Sequence, residues 1–81
     1  MNKVMDAAEI ILNSIINASN RERAKYSYLR VGQSIYNCAY SIFPDVVDEI
    51  HGTENDCFYH DDRIEDFLKE VCRLVEEDLN D

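Results

Sequence analysis

The side chains most able to do chemistry lie in one stretch, residues 52–62, which reads GTENDCFYHDD and is preceded by His51. His51, Cys57, His60, Asp61 and Asp62 are all metal-ligand types. A structural zinc site needs four ligands, usually in paired spacing such as C-x₂-C. Here the spacing is H-x₅-C-x₂-H with no second thiolate nearby, and the D-x-D-x-D-G order of a calcium loop is missing. No metal or other cofactor is expected. Thiol catalysis needs a base that lowers the thiol pKa and donors for an oxyanion. Cys57 is near His60 but stands among carboxylates, which raise a thiol pKa. Cys38 and Cys72 fall on apolar stripes, where cysteine acts as a small hydrophobe. A bundle of this size also has little room for a pocket of ~300 Å³. The chain therefore reads as a non-enzyme.

What is left to the stretch is contact. Thr53, Asn55 and Asp56 suit a tight turn with side-chain-to-backbone hydrogen bonds. Phe58 and Tyr59 precede the last helix and are expected to fold back on it, with Phe67 as the partner. The outward residues then form an acidic-aromatic surface. Tyr59, Asp61, Asp62 and Arg63 are the expected protein-contact residues, with Arg30 as a second-rank candidate.

Four helical segments must position this surface, and the spacing predicts an all-α bundle of three long helices and one short one in a single domain, residues 1–81. Val4, Met5, Ala8, Ile11, Leu12, Ile15 and Ile16 recur at helical steps and place a first helix at about residues 2–18. Ser19-Asn20-Arg21-Glu22 has the form of a capping box and predicts a break, with a second helix from about residue 20 to 43. That second helix is apolar on two sides. One stripe holds Tyr28, Val31, Gly32, Ile35, Cys38 or Ala39, and Ile42; the other holds Leu29, Tyr36, Tyr40 and Phe43. Both must be buried, either at the centre of the bundle or in a homodimer through this helix. Gly32 costs about 1 kcal/mol against Ala in a helix interior and would let another helix approach closely, unless it is simply tolerated. Pro44 opens the short PDVVDEIH helix and Gly52 closes it. The last helix is expected from Asp61 or Asp62, with Asp62-Arg63-Ile64-Glu65 as its cap and a stripe running from Ile64 through Phe67 and Val71 to Leu79.

Size and charge narrow the function classes. At 81 residues the chain is near the lower limit for folding alone. The longest apolar run, AAEIILNSIINA, is interrupted by Glu9, Asn13 and Asn17, so no membrane span or secretion signal is expected. Three cysteines without paired spacing fit a reducing cytoplasm. The net charge is −9. Residues 1–43 carry five basic and three acidic side chains, while residues 44–81 carry three basic and fourteen acidic ones. That balance argues against a nucleic-acid reader and for a basic protein partner. The basic run RERAKYSYLR, residues 21–30, sits at an unfavourable helix N-terminus in this reading and calls for acidic neighbours. An acidic decoy that mimics DNA to inhibit a host nuclease or defence protein is the second function class. A solvated helix face produces the same composition more often.

Two strings carry a resemblance: LRVGQSIYN at residues 29–37 and HGTENDCFYHDDRIEDFL at residues 51–68. The positions concerned are Arg30, Gly32, Gln33, Asn37, Pro44, Gly52, Thr53, Asp56, Phe58, Tyr59, Asp61, Arg63 and Ile64. They resemble a family of small cytoplasmic helical proteins of tailed bacteriophages, the family that includes the T-even lysis-inhibition accessory protein encoded by the third rapid-lysis gene. The family pattern has Pro where this chain has Cys57, and the first helix carries none of it. The resemblance implies a non-catalytic protein of the host cytoplasm that binds the cytoplasmic segment of the holin and delays lysis.

Overall fold

The first helix does not stop at Ser19. In the computed structural model, which describes residues 7–80, α1 spans Ala7–Lys25 and runs straight through the expected break. Residues 2–6 of the expected first helix, including Val4 and Met5, lie outside the described residues. The capping box is overridden by tertiary contact. The Ser19 hydroxyl is buried and donates to Ser34 Oγ at 2.8 Å on the facing helix, rather than closing a helix start. The following Arg-Glu-Arg-Ala-Lys run is made of good helix formers, so nothing local stops the helix there.

The chain turns instead at residues 26–30. Leu29 is buried there, and its amide donates to Tyr26 O at 3.2 Å, while Tyr28 stays exposed. Arg21, Arg23 and Lys25 thus occupy the last turns of α1, where the helix dipole favours cations. The unfavourable placement expected from the sequence does not arise for these three, whereas Arg30 stands at the N-terminus of the next helix. Helix α2 is correspondingly short, Val31–Ile42.

Helix α3, Pro44–Ile50, begins on Pro44 as its first residue. It ends ahead of Gly52, which has φ +77°, a left-handed conformation that glycine adopts without a Cβ penalty. A 3₁₀ turn, Asp61–Arg63, leads into α4, Ile64–Asn80. Among the described residues the structure is all helical, with two long helices, one of intermediate length and one short. The helical turn therefore starts at Asp61 as expected, but Asp62 lies inside it and does not cap it: the N-cap residue is His60, which makes no side-chain cap hydrogen bond.

Helix α2 is the central element and packs against α1, α3, α4 and the 3₁₀ turn. Leu29, Gly32, Ile35, Cys38 and Ala39 of the expected stripes are buried within the chain, whereas Tyr28, Val31, Tyr40 and Ile42 are exposed. The core draws Ile11 and Ile15 from α1, Ile35 and Ala39 from α2, Val46, Val47 and Ile50 from α3, and Phe67, Val71 and Val75 from α4. The molecule measures 40 × 31 × 20 Å, and its smallest dimension is that of two helix layers at ~10 Å each.

Candidate functional site

Residues 51–63 return from the end of α3 to the start of α2, and the side chains of Thr53, Asp56 and Asp61 bond to backbone groups along the way. Within the loop, the Thr53 hydroxyl donates to Ile50 O at 2.6 Å and accepts from Asn55 N at 3.2 Å. Both Asp56 oxygens accept backbone amides, Oδ2 from Gly52 at 2.8 Å and Oδ1 from Phe58 at 2.9 Å. Asp56 Oδ2 also lies 3.6 Å from His51 Nδ1. The tight turn expected from Thr53, Asn55 and Asp56 is therefore present and is closed by their side chains.

The loop is latched to α2 across a long sequence separation. Arg30 is the N-cap residue of α2 and makes no side-chain cap of its own. Asp61 supplies the cap instead: its Oδ1 accepts the Gly32 amide at 3.0 Å and the Arg30 Nη1 at 3.2 Å. Arg30 Nη2 also donates to Phe58 O at 2.7 Å. A carboxylate accepting an amide at a helix N-terminus forms a charge-assisted bond and sits at the favourable end of the dipole. The Arg30–Asp61 pair is about half exposed, so by itself it contributes only ~0–1 kcal/mol.

Gly32 is the contact point of the latch. A Cβ there would stand 2.5 Å from Cys57 O and 2.7 Å from Asp61 Oδ1. The close approach expected of this glycine is real, but the element it admits is the loop rather than a helix. Cys57 is fully buried, and its Sγ donates to Gly32 O at 3.3 Å. Burial pushes the Cys57 thiol up to about 12, and the neighbouring Asp56 carboxylate acts in the same direction. It is therefore a protonated structural thiol at neutral pH, not a nucleophile. Burial also raises Cys38, with Glu22 adding to the shift.

An aromatic run links the loop to the core. Tyr59 packs edge-on against Phe58 at 4.7 Å, Phe58 against Tyr36 at 5.2 Å, and Tyr36 against Phe67 at 5.7 Å between ring centroids. The expected fold-back onto Phe67 is thus mediated by Tyr36, which the sequence reading had placed only on a helix stripe. Its hydroxyl lies 3.0 Å from His51 Nδ1. Burial first, then Asp56 and Asp48, hold the Tyr36 phenol above its ordinary range.

The five expected contact residues divide between two roles. Arg30 and Asp61 meet in the latch, whereas Tyr59 is 77% exposed and Asp62 is exposed as well. Arg63 is half-buried and lines a notch of about 240 Å³ with Tyr59, His60, His51 and Gly52. Among the described residues no group of three or more His, Cys, Asp or Glu side chains could hold a metal ion, and no helix is long and apolar enough to cross a membrane. Arg30, Gly32, Phe58 and Asp61 build the latch, and Gly52, Thr53 and Asp56 build the turn. Gln33 and Asn37 are half-buried on α2 and take no part in these hydrogen bonds.

A second feature was not foreseen. An open groove of about 470 Å³ runs between α1 and α4. Ala8, Leu12, Ile16, Leu68 and Cys72 form its apolar floor, and Glu65, Lys69, Arg73 and Glu76 border it. The expectation of too little room fails because the space lies on the surface between two helices, outside the core. The chain matches no protein-family model, no curated protein and no solved structure.

Proposed function

We propose that this chain is a non-enzymatic regulatory protein of a tailed bacteriophage that works by binding a partner protein. The partner suggested by the resemblance is the cytoplasmic segment of the holin, and the effect of binding is to delay host lysis. The observation that carries the binding reading is the division of labour in the loop. Thr53, Asp56, Asp61 and Arg30 hold its backbone through their side chains, while Tyr59 projects at 77% exposure and Asp62, three residues on, is exposed as well. An exposed aromatic and an exposed carboxylate on one held loop suit a cationic partner segment, through contact of Lys or Arg with the ring face and pairing with the acid. The net charge of −9 favours encounter with such a segment.

The acidic-decoy reading has less support. Mimicry of DNA needs an even array of carboxylates, but on α4 Lys69 pairs with Glu65 at 3.2 Å, and Arg73 pairs with Glu70 at 2.6 Å and with Glu77. These cations interrupt the array.

The test is affinity capture of the tagged protein from infected cells, followed by binding of the purified holin segment. The variants are Tyr59→Ala and Asp62→Lys, which leave the Asp61 latch alone. The expected result is recovery of the holin with the wild type and its loss with both variants, at unchanged helical circular dichroism. Unchanged binding by both variants excludes the loop face. Recovery of a nuclease or defence complex released by moderate salt favours the decoy.

A further inference from the structure

We infer that the turn from α1 into α2 is a docking edge for an anionic lipid surface, held there by Arg21, Arg23 and Lys25 together with the rings of Tyr26 and Tyr28. Among the described residues, Arg30 pairs with Asp61, Lys69 with Glu65, and Arg73 with Glu70 and Glu77. Arg21, Arg23, Lys25 and Arg63 pair with no carboxylate, and three of these four fall within five residues at the end of α1. Arg23 Nε donates to Leu29 O at 3.4 Å, and Lys25 Nζ stands 5.6 Å from the centre of the Tyr26 ring. Glu22, the acid within this run, does not serve them. Its Oε1 is buried without a hydrogen-bond partner, and its charge helps to raise the Cys38 thiol. The helix dipole explains why cations are tolerated here, but not why two tyrosines stand out beside them. Tyr28 is 80% exposed and Tyr26 43%, and the two rings meet edge-on at 6.2 Å. Rings of this kind settle at headgroup level while neighbouring cations meet lipid phosphates.

The place of the turn in the fold removes the objection of a net charge of −9. Near the start of α1, Ala8 O lies 4.0 Å from Cys72 Sγ of α4. The end of α1 leads through the turn to Arg30, which is bonded to Asp61 just ahead of α4. The two helices therefore run antiparallel, and Lys25 stands seventeen residues, ~25 Å of helix, beyond Ala8. Glu76 and Glu77 lie past Cys72 toward the opposite end. That separation exceeds the ~8 Å screening length at physiological ionic strength. The nearer Asp61 is engaged by Arg30 and the Gly32 amide. An acidic protein, the acidic half of a second copy included, would meet the cations but leave both rings idle. Neither of the two cavities described above includes these residues, so no concave seat is offered to it there. A nucleic-acid strand needs cations along a groove that tracks its backbone, whereas here they are gathered at one corner.

The inference stands apart from the holin reading and is tested on the purified chain by flotation with vesicles. One set is pure phosphatidylcholine, and the other is equal parts phosphatidylcholine and phosphatidylglycerol. The wild type should float with the mixed vesicles at low salt, several-fold less at high salt, and not with the neutral ones. Arg21→Glu with Lys25→Glu, both at exposed sites, should abolish flotation with native circular dichroism and unchanged binding of the holin segment. Tyr28→Ala should float several-fold less than the wild type. Tyr59→Ala, on the loop face, should float normally. A wild type that stays with neither set of vesicles overturns the inference. So does flotation unchanged by the double variant or by Tyr28→Ala. Binding of a single-stranded oligonucleotide, or a rise in mass, that depends on Arg21 and Lys25 where vesicles fail would assign the corner to that partner instead.

Discussion

The loop at residues 51–63 and the groove between α1 and α4 solve opposite problems. In the loop, few apolar atoms are available, and order comes from directional polar contacts: Asp56 closes the turn, Asp61 caps α2, and Cys57 bonds to Gly32. In the groove, apolar atoms are plentiful and no directional contact fixes what lies against them. The comparison teaches that rigidity and stickiness have been assigned to different faces. A latched loop can present Tyr59 and Asp62 without paying their ordering entropy again on binding.

The sharpest separation comes from two neighbours on α4. Phe67 is fully buried, and Leu68 lines the groove. Phe67→Ala should cost about 3–5 kcal/mol, comparable to the entire stability of a chain this small. Leu68→Ala should cost well under half as much, because its side chain lines the open groove and is only partly buried. Thermal unfolding followed by circular dichroism reads both; equal losses would mean that the groove wall is part of the core. Next in size is Gly32→Ala. Helix propensity alone predicts a gain of up to ~1 kcal/mol. The new Cβ would press on Cys57 O and Asp61 Oδ1, and Cys57 O belongs to the backbone, so we expect a net loss of about 1–3 kcal/mol. A stabilised variant would show that the latch yields easily.

How legible this was in the sequence depended on whether the deciding signal was local. Pro44 and Gly52 bracket α3 because both act through their own backbone geometry, and the stripe of α4 is clean. The turn at residues 26–30 contains no Gly or Pro, while Ser19-x-x-Glu22 imitates a helix start; only the buried Ser34 across the bundle decides that Ser19 is mid-helix. The site was partly legible. Turn chemistry marked Thr53, Asn55 and Asp56, and Gly32 marked a close approach. That Asp61 caps a helix beginning thirty residues earlier in the chain has no local signature. The groove was hidden for a related reason. Ala8, Leu12 and Ile16 share a broad apolar stripe with Ile11 and Ile15, and spacing does not say which half of the stripe meets the core.

The latch should also be sensitive to alkali. Cys57 has its pKa raised from 9.0 to about 12 by burial. Below pH 9 the thiol is protonated in both states and its stabilising contribution is fully present. As pH rises from 9 toward 12, the unfolded thiol ionises while the folded one does not, so stability falls by about 1.4 kcal/mol per pH unit in that window. The stability difference between the wild type and Cys57→Ala should therefore shrink by about that amount between pH 8 and pH 10. A constant difference would mean the thiol reaches solvent. In the folded protein at pH 8, Cys57 should also resist alkylation.

The two smallest effects test whether the loop's inner and outer residues have separate roles. Asp61→Ala removes the cap on Gly32 and a half-exposed ion pair, so about 1 kcal/mol should be lost. Tyr59→Ala, at an exposed site, should change stability by less than about 0.5 kcal/mol. Under the proposed binding mode, partner binding should rank them the other way, because Tyr59 would touch the partner while Asp61 would act by holding the loop in place. The two contributions can be told apart by temperature. Cooling Asp61→Ala should restore part of its binding as the loop re-forms, whereas cooling should not restore Tyr59→Ala, which lacks the contact itself. If Asp61→Ala alone abolishes binding at every temperature and Tyr59→Ala binds normally, then the Arg30–Asp61 edge is the contact surface and the exposed aromatic is incidental.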